Sequence, residues 1–192
     1  AIARKRFLRE SQAAAAISHD HVVAIHTVGE IGGLPFMVME CIGGVSLDAR
    51  IKRTGPLKVE EILRIGMQTP SGLAPAHAQG VIHRDIKPAN ILLENGVERV
   101  KITDFGLARA VDDVQITQAG VVAGTPEYMS PEQARGETVD HRSDLYSLGC
   151  TWHHALSGRV PFAGSEPAEV LSAKRLHQFV SLGESRLDVP PL

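Results

Sequence analysis

Residues 81–93 read VIHRDIKPANILL. Two apolar clusters, Val81-Ile82 and Ile91-Leu92-Leu93, enclose a His, an Arg, an Asp, a Lys and an Asn. Charges set between apolar runs are costly to bury unless they are paired or used. A further carboxylate follows at Asp104, directly before Phe105 and Gly106. Phosphoryl transfer from a nucleotide needs a carboxylate to orient the attacking hydroxyl and a cation to steady the migrating group. It also needs an amide and a carboxylate to hold Mg²⁺ against the phosphates. Asp85, Lys87, Asn90 and Asp104 are of those four types, in chain order. In an extended segment Asp85 and Lys87 point the same way, because side chains alternate.

For these residues to meet, Asn90 must open one strand and Asp104 must follow the next. Residues 91–93 and 99–102 read as strands, with a turn at Asn95-Gly96, so a hairpin brings both prospective metal ligands to one end. Phe105-Gly106 supplies an apolar anchor and a flexible joint just after the second ligand. Elsewhere, periodicity predicts helices over 4–17, 45–55, 59–79, 144–156 and 166–177. It predicts strands over 21–30 and 34–42, joined at Gly32-Gly33, and a short strand at 81–82. Pro70 and Pro75 lie inside the helix at 59–79. An interior proline costs about 3 kcal/mol and removes a donor, which predicts a kink or an early break. Gly80 closes that helix. Residues 104–130 read as a long irregular loop, a type that is usually functional or mobile.

The chain has 192 residues, long enough for one sizeable core. An apolar share of 43% and a charged share of 22% belong to the soluble globular class. A net charge of −2 calls for no nucleic-acid or membrane partner. No apolar run reaches the roughly 18 residues of a membrane span, and no secretory leader opens the chain. Cys41 and Cys150 lie far apart, which predicts buried reduced thiols and a cytoplasmic location, any membrane anchor of the parent lying in other segments. His153, His154 and His177 lack ligand spacing and read as surface or part-buried histidines. Met37 and Met39 alternate along a strand as core residues do. Helical periodicity is already running at Ala1, and the chain stops in VPPL, so it reads as an internal piece of a longer protein.

Four motifs, HRDIKPANILL, DFGLAR, GTPEYMSPEQ and SDLYSLG, occur in that order. On these the chain resembles the eukaryotic-like serine/threonine protein kinases common in bacteria, from Phe7 to its C-terminus. The resemblance implies an α+β, two-lobed fold. Residues 1–42 would be a truncated small lobe, a helix plus two strands with the start of the hinge. Residues 43–192 would be a mostly helical large lobe lacking its last helices. The implied activity is transfer of the γ-phosphate of ATP to Ser/Thr hydroxyls of protein substrates in signal transduction, with Mg²⁺, or Mn²⁺ in its place.

The resemblance also assigns roles. Asp85 orients the hydroxyl, Lys87 steadies the γ-phosphate, and Asn90 and Asp104 bind the metal. Glu10 matches the helix glutamate that pairs with the ATP-binding lysine. Met39 matches the gatekeeper, with the Glu40 carbonyl and Ile42 amide on adenine and Leu92 beneath the ring. Glu132 anchors the activation segment, Asp144 holds the catalytic loop's backbone, and His83 and Phe105 stack in the apolar spine. Arg84 would receive a phosphothreonine, with Thr117 the site of autophosphorylation through self-association. Thr125 would contact Asp85 and Lys87 and shape the substrate site.

Some family parts lie elsewhere. The glycine-rich loop and the strand lysine precede the counterpart of Glu10, and GEIGG at 29–33 fits a hairpin turn instead. The strand at 34–42 is then expected to show an open edge, Glu132 to lack an arginine, and the isolated chain to have little or no activity. Pro70, Pro75 and Cys41 depart from the family's usual residues. Two other classes compete: a pseudokinase or interaction module, marked by loss of Asp85, Asn90 or Asp104, and a small-molecule phosphotransferase with an HGDLHxxN-type loop. All three residues are kept, and GTPEYMSPEQ is present, so the kinase reading leads.

Overall fold

The computed structural model describes residues 2–95, 99–105 and 125–185. Thr117 lies outside them. The order begins with helix α1 (Ile2–Ala15), strands β1 (Ile25–Ile31), β2 (Leu34–Met39) and β3 (Gly44–Ser46), and helices α2 (Leu47–Thr54) and α3 (Val59–Ala78). A 3₁₀ turn (Pro88–Asn90) leads into β4 (Ile91–Glu94) and β5 (Arg99–Ile102). Helices α4 (Pro131–Ala134), α5 (His141–Ser157), α6 (Pro167–Arg175) and α7 (Leu182–Ser185) follow. This is an α+β arrangement, with a small β region and a mostly helical body.

β1 and β2 form a two-stranded antiparallel sheet. Gly32 (φ 58°) and Gly33 (φ 83°) turn the hairpin, at a corner that needs positive φ. Among the described residues β2 pairs only with β1, so its other edge is open. The second sheet has the order β3-β4-β5. Its outer strand is sealed by side chains and by the segment before β1. The Val100 amide donates to the Gln68 side chain on α3 at 2.9 Å. The Ile102 amide donates to the His21 carbonyl, and the Val23 amide to the Ile102 carbonyl, both at 2.9 Å.

The main core gathers beneath this sheet. Ile17, Leu47, Ile65, Leu73, Ile91 and Ile102 all belong to it, each nearly or fully buried. A second cluster of Tyr128, Cys150, Phe162 and Val170 joins α5 to α6 and to the segment before α4. Helix α5 is capped at both ends. Asp140 accepts from the Arg142 amide at 2.8 Å, and Gly158 closes the helix at φ 74° with its N–H on the His154 carbonyl. No helix among the described residues is long and apolar enough to cross a membrane.

Several expectations are corrected. Helix α3 runs unbroken through Pro70 and Pro75 to Ala78. Pro70 is exposed, so the carbonyl it frees lies on the outward face, while Ile62, Ile65, Leu73 and Ala76 on the opposite face hold the helix to the core. Residues 81–82 are not a strand but an irregular approach to residues 83–87. The first long strand starts at Ile25, not 21. Val22 makes only an isolated parallel bridge to Ile102. The three-residue strand β3 was not expected. Cys150 is buried, but Cys41 is exposed, and His153 is buried with its ring nitrogens on the Arg159 and Val180 carbonyls. Met39 is 36% exposed, so the β2 methionines are less completely core than their alternation implies.

Candidate active site

The site is built on the β4–β5 hairpin. Ile91 pairs with Ile102, and the Thr103 amide donates to the Asn90 carbonyl at 3.1 Å. Asn90, just before β4, and Asp104, just after β5, therefore leave the same end of the hairpin. Asn90 is buried and Asp104 half-buried. The Asn90 amide nitrogen donates to the Asp85 carbonyl at 2.8 Å and to the Asp85 carboxylate at 3.1 Å. With its nitrogen committed to Asp85, Asn90 has its side-chain oxygen left to accept or to ligate.

Asp85 and Lys87 meet as alternation requires, with Lys87 Nζ 2.7 Å from Asp85 Oδ2. The same ammonium donates to the Thr125 hydroxyl at 3.1 Å. Thr125 thus reaches Lys87 directly and Asp85 through it. Asp85, Lys87, Asn90 and Thr125 form one connected polar cluster beside Asp104.

The backbone carrying this cluster is held from below by Asp144, which is fully buried at the start of α5. Its carboxylate accepts from the His83 amide at 2.9 Å and the Arg84 amide at 2.7 Å, and Nε2 of His77 lies 2.7 Å away. Burial alone would push this carboxyl up. The hydrogen bond from His77, the nearby His83 and the backbone N–H groups outweigh that, and the acid lies below its ordinary value. Arg84 needs such support, since its φ of 69° is in the left-handed region, as is the 63° of Asp104. Arg84 is half-buried.

His83 is fully buried, its Nε2 2.8 Å from the Thr103 carbonyl and its ring 4.6 Å from that of Phe105. This stack ties the segment that carries Asp85 to the residue after Asp104. Glu132, on α4, accepts from the Ser143 hydroxyl. Burial raises its carboxyl, yet the Ser143 bond and local backbone donors leave it below the ordinary range.

Met37, Met39 and Ile25 of the β1–β2 hairpin line a recess whose other wall includes Ile102, Asp104 and Phe105. Glu40 follows β2. Its carboxylate accepts from Lys101 Nζ at 2.6 Å and from the Ala24 amide at 3.2 Å, and the Lys101 bond holds it below the ordinary carboxylate range. Lys101 pairs across the sheet with Leu92, so Leu92 shares the face that reaches Glu40. Ile42 is half-buried beyond them, and Glu10 is half-buried on α1.

Four supporting residues were not among those the sequence singles out. His77 bonds Asp144. Lys101 bonds Glu40. Gln133 donates to the Arg84 carbonyl at 2.7 Å while accepting from the Ser130 amide, so α4 is fastened to the segment that carries Asp85. Lys174 is buried on α6. For Gln133, its place directly after Ser130-Pro131-Glu132 was the available signal, since a Gln three residues after a Ser marks a capping box.

Comparison with known proteins places the chain. The family model described as "Protein kinase domain" matches residues 1–190. The serine/threonine-protein kinase PknB of Mycobacterium leprae is 44% identical over 170 residues, covering 86% of this chain and 27% of that protein. PknB of Mycolicibacterium smegmatis is 46% identical over 171 residues, with the same coverage of 86% and 27%. A probable serine/threonine-protein kinase, pknA2, of Bifidobacterium longum is 42% identical over 176 residues, 92% of this chain and 23% of its own length. The chain spans about a quarter of the length of these curated relatives.

Proposed function

This chain belongs to the protein kinase domain family, and from that membership we propose that its parent transfers the γ-phosphate of ATP to serine and threonine hydroxyls of proteins. The observation that carries the reading is the connected cluster at the end of the β4–β5 hairpin. There a carboxylate, an ammonium and an amide are joined to one another, and a second carboxylate, Asp104, leaves the same end of the hairpin.

Asp85 accepts a hydrogen bond from the incoming hydroxyl and orients its lone pair toward the phosphoryl group. Lys87 lies 2.7 Å from Asp85 and donates its charge where negative charge accumulates. Thr125, on the ammonium of Lys87, lines the place where the substrate segment must lie. Asn90 and Asp104 fit a hard divalent cation, because both present oxygen, and the Asn90 nitrogen is already spent on Asp85. When bound, Mg²⁺ or Mn²⁺ supplies neutralisation of the triphosphate. Met39, the Glu40 carbonyl, the Ile42 amide and Leu92 form the adenine side, with the Glu40–Lys101 pair fixing the chain direction after β2. Glu10 takes the role of partner to an ATP-binding lysine. Arg84 receives phosphate on Thr117 after self-association. Phosphopeptide mapping of active protein with no phosphate between 104 and 130 would remove that step.

The reading is tested with the full-length parent and labelled ATP on serine, threonine and tyrosine peptides. Transfer to serine or threonine, dependent on Mg²⁺ and reduced about 100-fold or more by Asp104→Ala, is the expected outcome. Undiminished transfer by that variant would refute the assignment.

A further inference from the structure

Lys174 is an unusual lysine. It sits on α6 with Val170 one turn earlier, and both are 2% exposed. Lysine is almost never this buried unless it is paired, yet no carboxylate among the described residues lies within ion-pair distance of it. Its Nζ instead donates to the carbonyls of Glu127 and Met129, at 2.9 and 2.7 Å. The ammonium is also placed over two rings, 5.1 Å from the centroid of Tyr146 and 4.9 Å from that of Phe162. Burial pushes the ammonium below its ordinary value, while Cys150 and Glu127 nearby oppose that.

The two carbonyls belong to the segment that carries Thr125. Between them, Tyr128 is buried, its hydroxyl 2.7 Å from His154 Nδ1 and its amide on the Thr125 carbonyl at 3.1 Å. Residues 125–130 are thus fastened at one end to Lys87, which contacts Asp85, and at the other to Lys174. A protein substrate delivering a hydroxyl to Asp85 must lie along this segment. ATP, held on the β2 side, need not touch it.

We propose that Lys174 is a positioning residue for the protein substrate: its ammonium pins the Glu127 and Met129 carbonyls and so sets where residues 125–130 meet the acceptor peptide. This rests on the kinase reading above. Lys174→Met is nearly isosteric and suits a slot between two rings, so it removes the tether with little loss of packing.

The test uses the full-length parent, wild type and Lys174→Met, with steady-state kinetics, thermal melting and amide exchange. In the variant the peptide KM rises about ten-fold, while the ATP KM stays within about two-fold. The amides of residues 127–130 exchange at least about ten-fold faster. Should Lys174→Met fail to fold, Lys174→Gln keeps a donor for one carbonyl, and its peptide KM rises about three-fold. An unchanged peptide KM in a folded variant overturns the proposal, whereas a lower melting temperature alone would mark Lys174 as merely structural. If the wild type transfers no phosphate, the kinase reading fails instead. The exchange data then decide the tether: faster exchange supports it, and unchanged exchange overturns it.

Discussion

Around the fully buried Asp144, two successive backbone amides, those of His83 and Arg84, each have a protein acceptor. On the β1–β2 hairpin several large side chains face outward instead: Ile31 is 72%, Leu34 75% and Val38 47% exposed, while Ile25, Met37 and Met39 line the recess beside Asp104. The hairpin is held by its backbone ladder and by ion pairs near its ends, Arg4–Glu30 at 3.3 Å and Lys101–Glu40 at 2.6 Å. The lower body is therefore over-determined by buried polar bonds, where losing one partner strands another. On the hairpin, Ile31, Leu34 or Val38 can be lost without leaving a buried polar group unsatisfied. Buried polar bonds are concentrated around the segment that carries Asp85, Lys87 and Asn90.

Breaking the lower region should have the largest effect. Asp144→Ala strands the His83 and Arg84 amides and the His77 ring, and should cost about 3–5 kcal/mol in urea unfolding. A loss below about 1 kcal/mol would show that the network is redundant. The same carboxylate gives a pH signature. Its folded acid is below the ordinary value of 3.8, so between the two values the unfolded chain binds more protons. Its contribution is present above the ordinary value and is lost as pH falls through the folded one. Glu132 and Glu40 act in the same direction from 4.5. The wild-type urea midpoint should fall as pH drops through this acid range, and Asp144→Asn should flatten that fall.

Within α3 the comparison can be sharpened at two glycines. A Cβ on Gly72 would come 2.8 Å from the His21 carbonyl and 3.0 Å from Ile102 Cδ1, so Gly72→Ala should destabilise by about 1–3 kcal/mol. At Gly66 the nearest atom is Trp152 Nε1 at 4.0 Å, and Gly66→Ala should stabilise by up to about 1 kcal/mol through helix propensity. Equal effects at the two sites would contradict the packing described. The smallest change is expected on the hairpin, where Leu34→Ser should stay within about 0.5 kcal/mol in the same unfolding measurement.

That Asp85, Lys87 and Asn90 meet, with Asp104 at the same end of the hairpin, was legible in the sequence because two short motifs and one hairpin place them there. The long helices were legible where apolar spacing was regular. The prolines of α3 misled because local propensity was outweighed by the buried face of Ile62, Ile65, Leu73 and Ala76. β3 was missed because three residues carry no period; it exists through pairing with β4. The supporting partners were invisible for another reason. His77 lies 67 residues from Asp144, Gln133 49 from Arg84, Lys101 61 from Glu40 and Lys174 45 from Met129. A lone lysine on a polar helix reads as solvated, and only tertiary packing sets it between two rings and two carbonyls.

The central claim is that Asp85 orients the acceptor hydroxyl in phosphoryl transfer. It is tested most directly by the rate of labelled phosphate transfer from ATP to a serine peptide, comparing the full-length parent with Asp85→Asn, both shown to be folded by circular dichroism. The account predicts a fall of about 10²–10⁴-fold with the ATP KM little changed. A variant that transfers phosphate at the wild-type rate would contradict it.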